Sequence, residues 1–161
     1  MADTVASQTI DDGPKYAVIK LTNISDGTGE SAVTKVDVSG LASSANGVAC
    51  TGATIQKIWW QCTGMKVSIL FDATSDVLAI QLGENQSGYH DYTSFGGLTN
   101  NAGSGKTGDI KFTTVGHSSG DTYTIILYLK KEFRGRLKKQ NINLKLLWHV
   151  WKNVLRPFKK T

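Results

Sequence analysis

Cysteine, proline and long apolar runs are scarce in this chain. Two cysteines and two prolines occur in 161 residues. Two thiols are too few for a disulfide framework or a four-thiolate metal site, so we expect Cys50 and Cys62 to be small core residues in a reducing cytoplasm. No apolar run approaches the roughly 18 residues of a membrane span. The sequence therefore predicts no transmembrane helix.

A secretory signal is also missing from the first residues. MADTVASQTIDDG has neither a basic region nor an apolar stretch after it, and a signal peptide needs both. We expect a protein that is made and used inside a cell, or released from it by lysis.

Charge is present but unevenly distributed. Residues 1–129 carry seven lysines against twelve acidic residues, a net charge of −5. Residues 130–161 carry eleven lysines or arginines against Glu132 alone, a net charge of +10. A basic segment of this kind is attracted to acidic protein surfaces, nucleic acid or anionic lipid.

Turn residues between short apolar runs are abundant. Seventeen glycines occur, many of them beside Ser, Thr, Asn or Asp. Alternation of apolar and polar residues, typical of strands, recurs at Ala17, Ile19 and Leu21; Val36 and Val38; Ile58, Trp60 and Cys62; Val67, Ile69 and Phe71; Leu78, Ile80 and Leu82; and again within 110–115 and 121–129. We predict an all-β fold, a β-sandwich or jelly roll of about eight strands.

The sequence predicts three consecutive parts of the chain. Residues 1–14 form an N-terminal arm or a first edge strand, residues 15–132 the β-sandwich domain, and residues 133–161 a basic amphipathic extension. Helical spacing in this extension predicts a C-terminal arm with one apolar stripe, made of Leu144, Leu147, Trp148, Trp151, Val154, Leu155 and Phe158.

The stripe allows four functions, because basic amphipathic helices bind membranes, grooves in partner proteins, nucleic acid, or their own domain. Two tryptophans on one stripe are more apolar than phosphate binding requires. We expect the stripe to bind a partner protein, with no specific nucleic acid, and keep membrane contact as the alternative.

Motifs that carry chemistry are weak. The segment AGSGKTGD resembles the end of a phosphate-binding loop, but Asn100 stands where that motif needs its first glycine, and a strand follows instead of a helix. The histidines are scattered, and Asp72 and Asp76 fall in a predicted hairpin turn. We predict no catalytic, cofactor-binding or metal-ligating residues, and a protein that is not an enzyme.

Adjacent tryptophans mark a candidate surface. On a strand, one of Trp59 and Trp60 faces the core and the other faces outward. An exposed indole seals a subunit interface or stacks on a sugar. We predict a possible interface at Trp59, Tyr92 and Phe95, with Tyr89 as a further aromatic residue, on condition that the loop from Tyr89 to Phe95 folds towards Trp59.

Three segments resemble small structural virion proteins of tailed bacteriophages: DTVASQTIDDGPKYAVIKLTNISDG, ILFDATSDVLAIQL and SFGGLTNNAGSGKTGDIKFTT. The resemblance covers about residues 3–131. It implies a β-sandwich subunit that decorates or cements the capsid as a symmetric oligomer, with a trimer favoured, and that has the major capsid protein or other virion proteins as partners. It also implies location in the virion after synthesis in the host cytoplasm. The alternatives are a tail or head-to-tail component, a carbohydrate-binding module, and a membrane-active protein.

Overall fold

The computed structural model describes residues 3–134, so the predicted stripe from Leu144 to Phe158 lies outside the described residues. The described chain forms antiparallel strands and two short 3-10 helices, Val38–Gly40 and Thr93–Phe95. The strands are β1 Thr4–Asp12, β2 Tyr16–Asp26, β3 Val33–Val36, β4 Gly52–Thr63, β5 Lys66–Phe71, β6 Val77–Leu82, β7 Gln86–Asp91, β8 Ile110–Val115 and β9 Ser119–Glu132.

These strands build two sheets. One sheet has the order β1-β2-β9-β4-β7 and the other the order β3-β8-β5-β6. From β2 to β9, successive strands lie in opposite sheets, except that β5 and β6 pair with each other. This is the wrapped order of an eight-stranded jelly roll, and β1 adds an edge strand beside β2. The prediction of an all-β sandwich is confirmed.

The core lies between the sheets. Apart from β1 and β7, the strands contribute inward-pointing residues. The largest fully buried side chains come from both sheets: Leu21, Ile55, Ile58, Met65, Ile69, Phe71, Leu82, Ile110, Phe112, Tyr123, Ile125 and Leu127. Cys50 and Cys62 are buried, as expected of small core residues, and they are not bonded to each other. Burial raises the pKa of the Cys62 thiol to about 11, so this thiol stays protonated at neutral pH.

Two strand assignments from the sequence are wrong. Val38 was expected on a strand with Val36, but it begins a 3-10 helix because Asp37 accepts a hydrogen bond from the Ser39 amide and ends the extended run. Strand β7 was not predicted at all. Its sequence, QSGYHD, has every residue exposed, and without a buried face it shows no alternation.

Strand β1 lies within the segment predicted as an arm or edge strand. It pairs with β2 from Thr4 to Asp12, with a bulge at Ile10. Every residue from Thr4 to Asp11 is exposed, on both faces of the sheet. The four-stranded sheet therefore does not cover β1.

Two buried ion pairs stabilise the sandwich, Lys131 with Asp12 and Lys35 with Glu30. The Lys131 ammonium binds the Asp12 carboxylate and donates to the carbonyls of Gly13, at 2.8 Å, and Ala42, at 3.0 Å. At another site, the buried Glu30 carboxylate pairs with Lys35 and accepts a hydrogen bond of 2.9 Å from the Tyr123 hydroxyl. These contacts satisfy charged groups that would otherwise be costly to bury.

Candidate functional site

An aromatic patch occupies the outer face of the five-stranded sheet. We define it by residues that point away from the core on β2, β4, β7 and β9: Tyr16, Lys57, Trp59, Tyr89, Ile126 and Tyr128. Strand β9 shows why they lie there: because Ile125 and Leu127 are buried, the alternate residues Ile126 and Tyr128 face outward.

The centre of the patch is one row across three strands. Ile126 lies opposite Trp59, and Trp59 lies opposite Tyr89. The rings of Trp59 and Tyr89 stack with centroids 4.8 Å apart and 29° between their planes. Both remain exposed, at 38% for Trp59 and 46% for Tyr89. Two large rings are therefore held in a fixed position on a solvent-facing sheet.

A charged pair borders the row. Lys57 Nζ lies 3.4 Å from Asp91 Oδ2, and the Tyr89 hydroxyl donates to the same oxygen at 3.0 Å. Hydrogen bonds from the Thr93 hydroxyl and amide, with Tyr89 and Lys57 adding smaller effects, hold the pKa of Asp91 well below its usual range. Asp91 in turn raises the pKa of Lys57. Both groups are charged at neutral pH.

Tyr128 and Tyr16 extend the patch towards β2. Lys57 Nζ lies 5.7 Å from the centre of the Tyr128 ring, within cation–π range. The Tyr128 and Tyr16 rings are 5.4 Å apart. The patch is therefore continuous from β2 to β7, with aromatic rings and one ion pair on the outer face of the sheet.

Trp60 points to the opposite face of the sheet, as the alternation predicts. It is partly buried and packs against the core. Its ring lies over Gly88, where an added Cβ would come within 2.7 Å of the Trp60 Cη2 atom. Trp60 also contacts the His90 ring, with centroids 4.6 Å apart.

The predicted grouping of Trp59, Tyr92 and Phe95 does not form. Tyr92 follows His90 at a ring distance of 5.7 Å, and Phe95 follows Tyr92 at 5.8 Å, so both belong to the Trp60 side. Burial raises the pKa of Tyr92. The loop folds away from Trp59, and Tyr89 on β7 is the residue that joins it.

Sequence reasoning missed four members of the patch: Tyr16, Lys57, Ile126 and Tyr128. The sequence did carry a signal for Ile126 and Tyr128, since the alternation of β9 assigned Ile125 and Leu127 to the buried face and so these two to the outer face. It carried no signal for Tyr16 and Lys57, because their place in the patch follows from the order of strands in the sheet.

The Asp72–Asp76 turn and the segment AGSGKTGD make contacts that stabilise loops. Asp72 and Asp76 lie in the β5–β6 turn and share the Lys111 ammonium. In AGSGKTGD, Lys106 Nζ donates to the Asn100 carbonyl at 2.9 Å, and strand β8 follows. Within residues 3–134, no three His, Cys, Asp or Glu side chains are grouped as metal ligands. The same residues contain no helix long and apolar enough to cross a membrane.

Comparison with known proteins identifies no family. No family model matches the chain, and no curated protein matches it. Solved structures that superpose on it include two mutants of the family 29 carbohydrate-binding module CBM29-2. Each has a TM-score of 0.37 and 9% identity; one match covers 79% of this chain and 92% of the module, the other 83% and 99%. A third solved structure, a family 29 carbohydrate-binding module, has a TM-score of 0.35 and 9% identity, and the match covers 79% of this chain and 88% of that one.

Proposed function

We propose that the protein is a non-enzymatic structural subunit of a tailed-bacteriophage virion, which decorates or cements the head shell as a symmetric oligomer. The aromatic patch is the observation that carries this proposal. Interfaces between proteins use large aromatic anchors surrounded by polar residues. The Trp59–Tyr89 pair beside the Lys57–Asp91 ion pair has this composition.

The shape of the patch favours a protein partner. Trp59 and Tyr89 each cover one face of the other ring, and both stay exposed on the outer face of the five-stranded sheet. A second protein surface can bury these rings over a broad area, whereas an enzyme substrate is normally held in a concave site. Many copies on a shell would then add modest contacts through multivalency.

Charge supports a second contact. The described body belongs to the acidic part of the chain, and the predicted stripe from Leu144 to Phe158 belongs to the part with net charge +10. A stripe with two tryptophans supplies apolar area for a groove on a neighbouring subunit. A trimer is the favoured oligomer, and a tail or head-to-tail position would use the same two contacts.

The test is binding to particles that lack the protein. Wild type and the double variant W59A/Y89A are added to such particles, and binding is measured by co-sedimentation and by electron microscopy of the shell. The control is Phe95→Ala, since Phe95 is 65% exposed but lies outside the patch. We expect the double variant to bind at least about tenfold more weakly, while the control binds as wild type does.

Two results would overturn the proposal. One is a protein that is monomeric, absent from purified particles and unable to bind shells. The other is normal shell binding by W59A/Y89A, which would exclude the patch as the contact surface.

Carbohydrate binding is the second candidate function, and one observation favours it. Trp59 borders a shallow depression together with the polar side chains of Gln61 and Ser87. An indole can stack on a sugar ring while polar neighbours bind its hydroxyls. Glycan-array binding that is lost in Trp59→Ala and kept in Phe95→Ala would favour this function over shell binding.

A further inference from the structure

We propose that the free edge of β7 pairs with the same edge of a second copy of this chain, so that two five-stranded sheets join across a two-fold axis at Tyr89. Within the described residues, β7 has β4 on one side and no strand on the other. The backbone groups along such an edge can pair with another extended strand. This pairing does not depend on binding to a shell.

The backbone of β7 turns alternate residues towards the open edge. The Tyr92 amide, directly after β7, donates to the Gln56 carbonyl of β4 at 2.8 Å. Because the N–H and C=O groups of successive residues point to opposite sides of an antiparallel strand, the backbone groups of Asp91 point away from β4. The same alternation turns the backbone groups of Tyr89 and Ser87 outward.

The edge lacks the usual protection. Exposed edge strands normally carry lysine or proline, or another segment covers them. Residues 86–91, QSGYHD, contain neither residue type, and all six are exposed. Their one carboxylate, Asp91, is paired with Lys57, whose Nζ lies 3.4 Å from Asp91 Oδ2. The charge on this edge is therefore neutralised within the chain and does not repel a second strand.

A second copy of β7 matches the edge residue for residue. In antiparallel pairing centred on Tyr89, the outward backbone groups of Tyr89 meet those of Tyr89 of the second copy, and the groups of Ser87 meet those of Asp91. Each outward residue then donates and accepts one backbone hydrogen bond. No like charges face each other, because Asp91 lies opposite Ser87 of the second copy.

The same register joins the aromatic patches of the two copies. In each chain Trp59 lies opposite Tyr89, and the two rings stack at 4.8 Å. With Tyr89 opposite Tyr89, the rings of both copies fall in one row across the outer face, and aromatic cross-strand neighbours stabilise antiparallel strands. On the inner face, His90 lies opposite Gly88 of the second copy, which carries no side chain. The new contact is therefore continuous with the candidate site.

The contact is small, because it involves one six-residue strand on each copy. Protein contacts that bury less than about 1,200 Å² in total are weak and transient. We expect pairing that is reversible and increases with protein concentration. Copies held close together on a shell would gain from it through multivalency.

Hydrogen exchange of the full chain at low and high concentration tests this pairing. Ser87→Pro removes one outward amide and leaves the β4–β7 ladder intact, whereas the matched control Ser87→Ala keeps that amide. We expect the Tyr89 and Asp91 amides to exchange about tenfold more slowly at high than at low concentration in wild type and in Ser87→Ala. In Ser87→Pro both amides should exchange fast at every concentration, while the Gly88 and His90 amides stay protected by β4.

Disulfide formation tests the register. Only a residue on the two-fold axis meets its own counterpart, at the Cα separation of about 5.5 Å of a hydrogen-bonded pair, which a disulfide can span. The two copies of Ser87 lie four residues apart along the strands, about 13 Å. Tyr89→Cys should therefore form disulfide-linked dimers about tenfold faster than Ser87→Cys.

Three results would overturn the proposal: fast exchange of the Tyr89 and Asp91 amides at every concentration in wild type, equal protection of these amides in Ser87→Pro and Ser87→Ala, or equal rates of crosslinking in the two cysteine variants. Ser87→Pro keeps both rings of the Trp59–Tyr89 pair. Loss of strand pairing in this variant and loss of shell binding in W59A/Y89A are therefore separate outcomes.

Discussion

Trp59 on β4 and Tyr89 on β7 stack across neighbouring strands, with ring centroids 4.8 Å apart. Strand β4 was predicted from its alternation, whereas β7 was not. The contact therefore became visible only in the structure, where β4 and β7 pair and set Trp59 opposite Tyr89. Because the two rings are exposed, the pair contributes little to the core, and its energy is measurable as a coupling between two substitutions.

A double-mutant cycle should detect that coupling. We expect Trp59→Ala and Tyr89→Ala to couple by about 0.5–1 kcal/mol in urea unfolding, the usual range for aromatic cross-strand pairs. The control cycle combines Trp59→Ala with Phe95→Ala, which lies on the other side of the sheet, and should be additive. Additive changes for Trp59 and Tyr89 would contradict a stacked pair in solution.

A side chain at Gly88 on β7 would clash with the ring of Trp60. An added Cβ would approach Trp60 Cη2 to 2.7 Å, so Gly88→Ala should lower the free energy of unfolding by about 1–3 kcal/mol, as overpacking does. Gly103→Ala is the matched control, since nothing lies within 4 Å of its added Cβ. It should change stability by less than about 0.5 kcal/mol. Equal effects in urea unfolding would exclude the Trp60 contact as the cause.

Prediction from sequence succeeded where a strand has one buried face. The alternation at Ala17, Ile19 and Leu21 corresponds to β2, and the alternation of 121–129 to β9, because burial on one side forces a period of two. It failed at β7, where both faces are exposed and no such constraint acts. The candidate site was only partly predictable for the same reason: Trp59 was assigned to a strand, but Tyr89 was considered only as part of a loop, because β7 has no strand signal.

Lys131 marks another limit of sequence reasoning. Its position continues the inward series of Leu127 and Leu129 on β9, so the alternation places it inside. What no local pattern shows is that the Asp12 carboxylate and the carbonyls of Gly13 and Ala42 meet there, because they come from distant parts of the chain.

Replacing this buried lysine should be costly. Lys131→Met leaves the Asp12 carboxylate and two carbonyls without their donor, and we expect a loss of about 3–5 kcal/mol in the free energy of unfolding. The neighbouring Lys130→Met, at an exposed position on the same strand, should change it by less than about 0.5 kcal/mol. Thermal and urea unfolding measure both. A small loss in Lys131→Met would show that the ammonium is not buried in solution.

The raised pKa of Tyr123 leads us to expect that the folded protein loses stability at alkaline pH. Burial, and then the nearby Glu30 charge, raise the pKa of this tyrosine far above its usual value of about 10. Above pH of about 10, the unfolded chain releases the phenol proton while the folded chain keeps it, so the free energy of unfolding falls as pH rises.

The variant Tyr123→Phe removes that proton and should lose less stability between about pH 9 and 11 than wild type does. At neutral pH it should be less stable by about 1–2 kcal/mol, because the Glu30 carboxylate loses a hydrogen-bond donor. Urea unfolding at several pH values measures both effects. Parallel pH profiles for the two proteins would exclude Tyr123 as the titrating group.

The position of β9 sets the order of events during synthesis. It is the last strand of the described chain, yet it lies at the centre of the five-stranded sheet, between β2 and β4. Until the ribosome has delivered β9, β2 and β4 lack the strand that joins them, and their facing edges stay unpaired. Folding therefore has to follow translation of nearly the whole domain, and the nascent chain depends on slow long-range pairing during which aggregation competes.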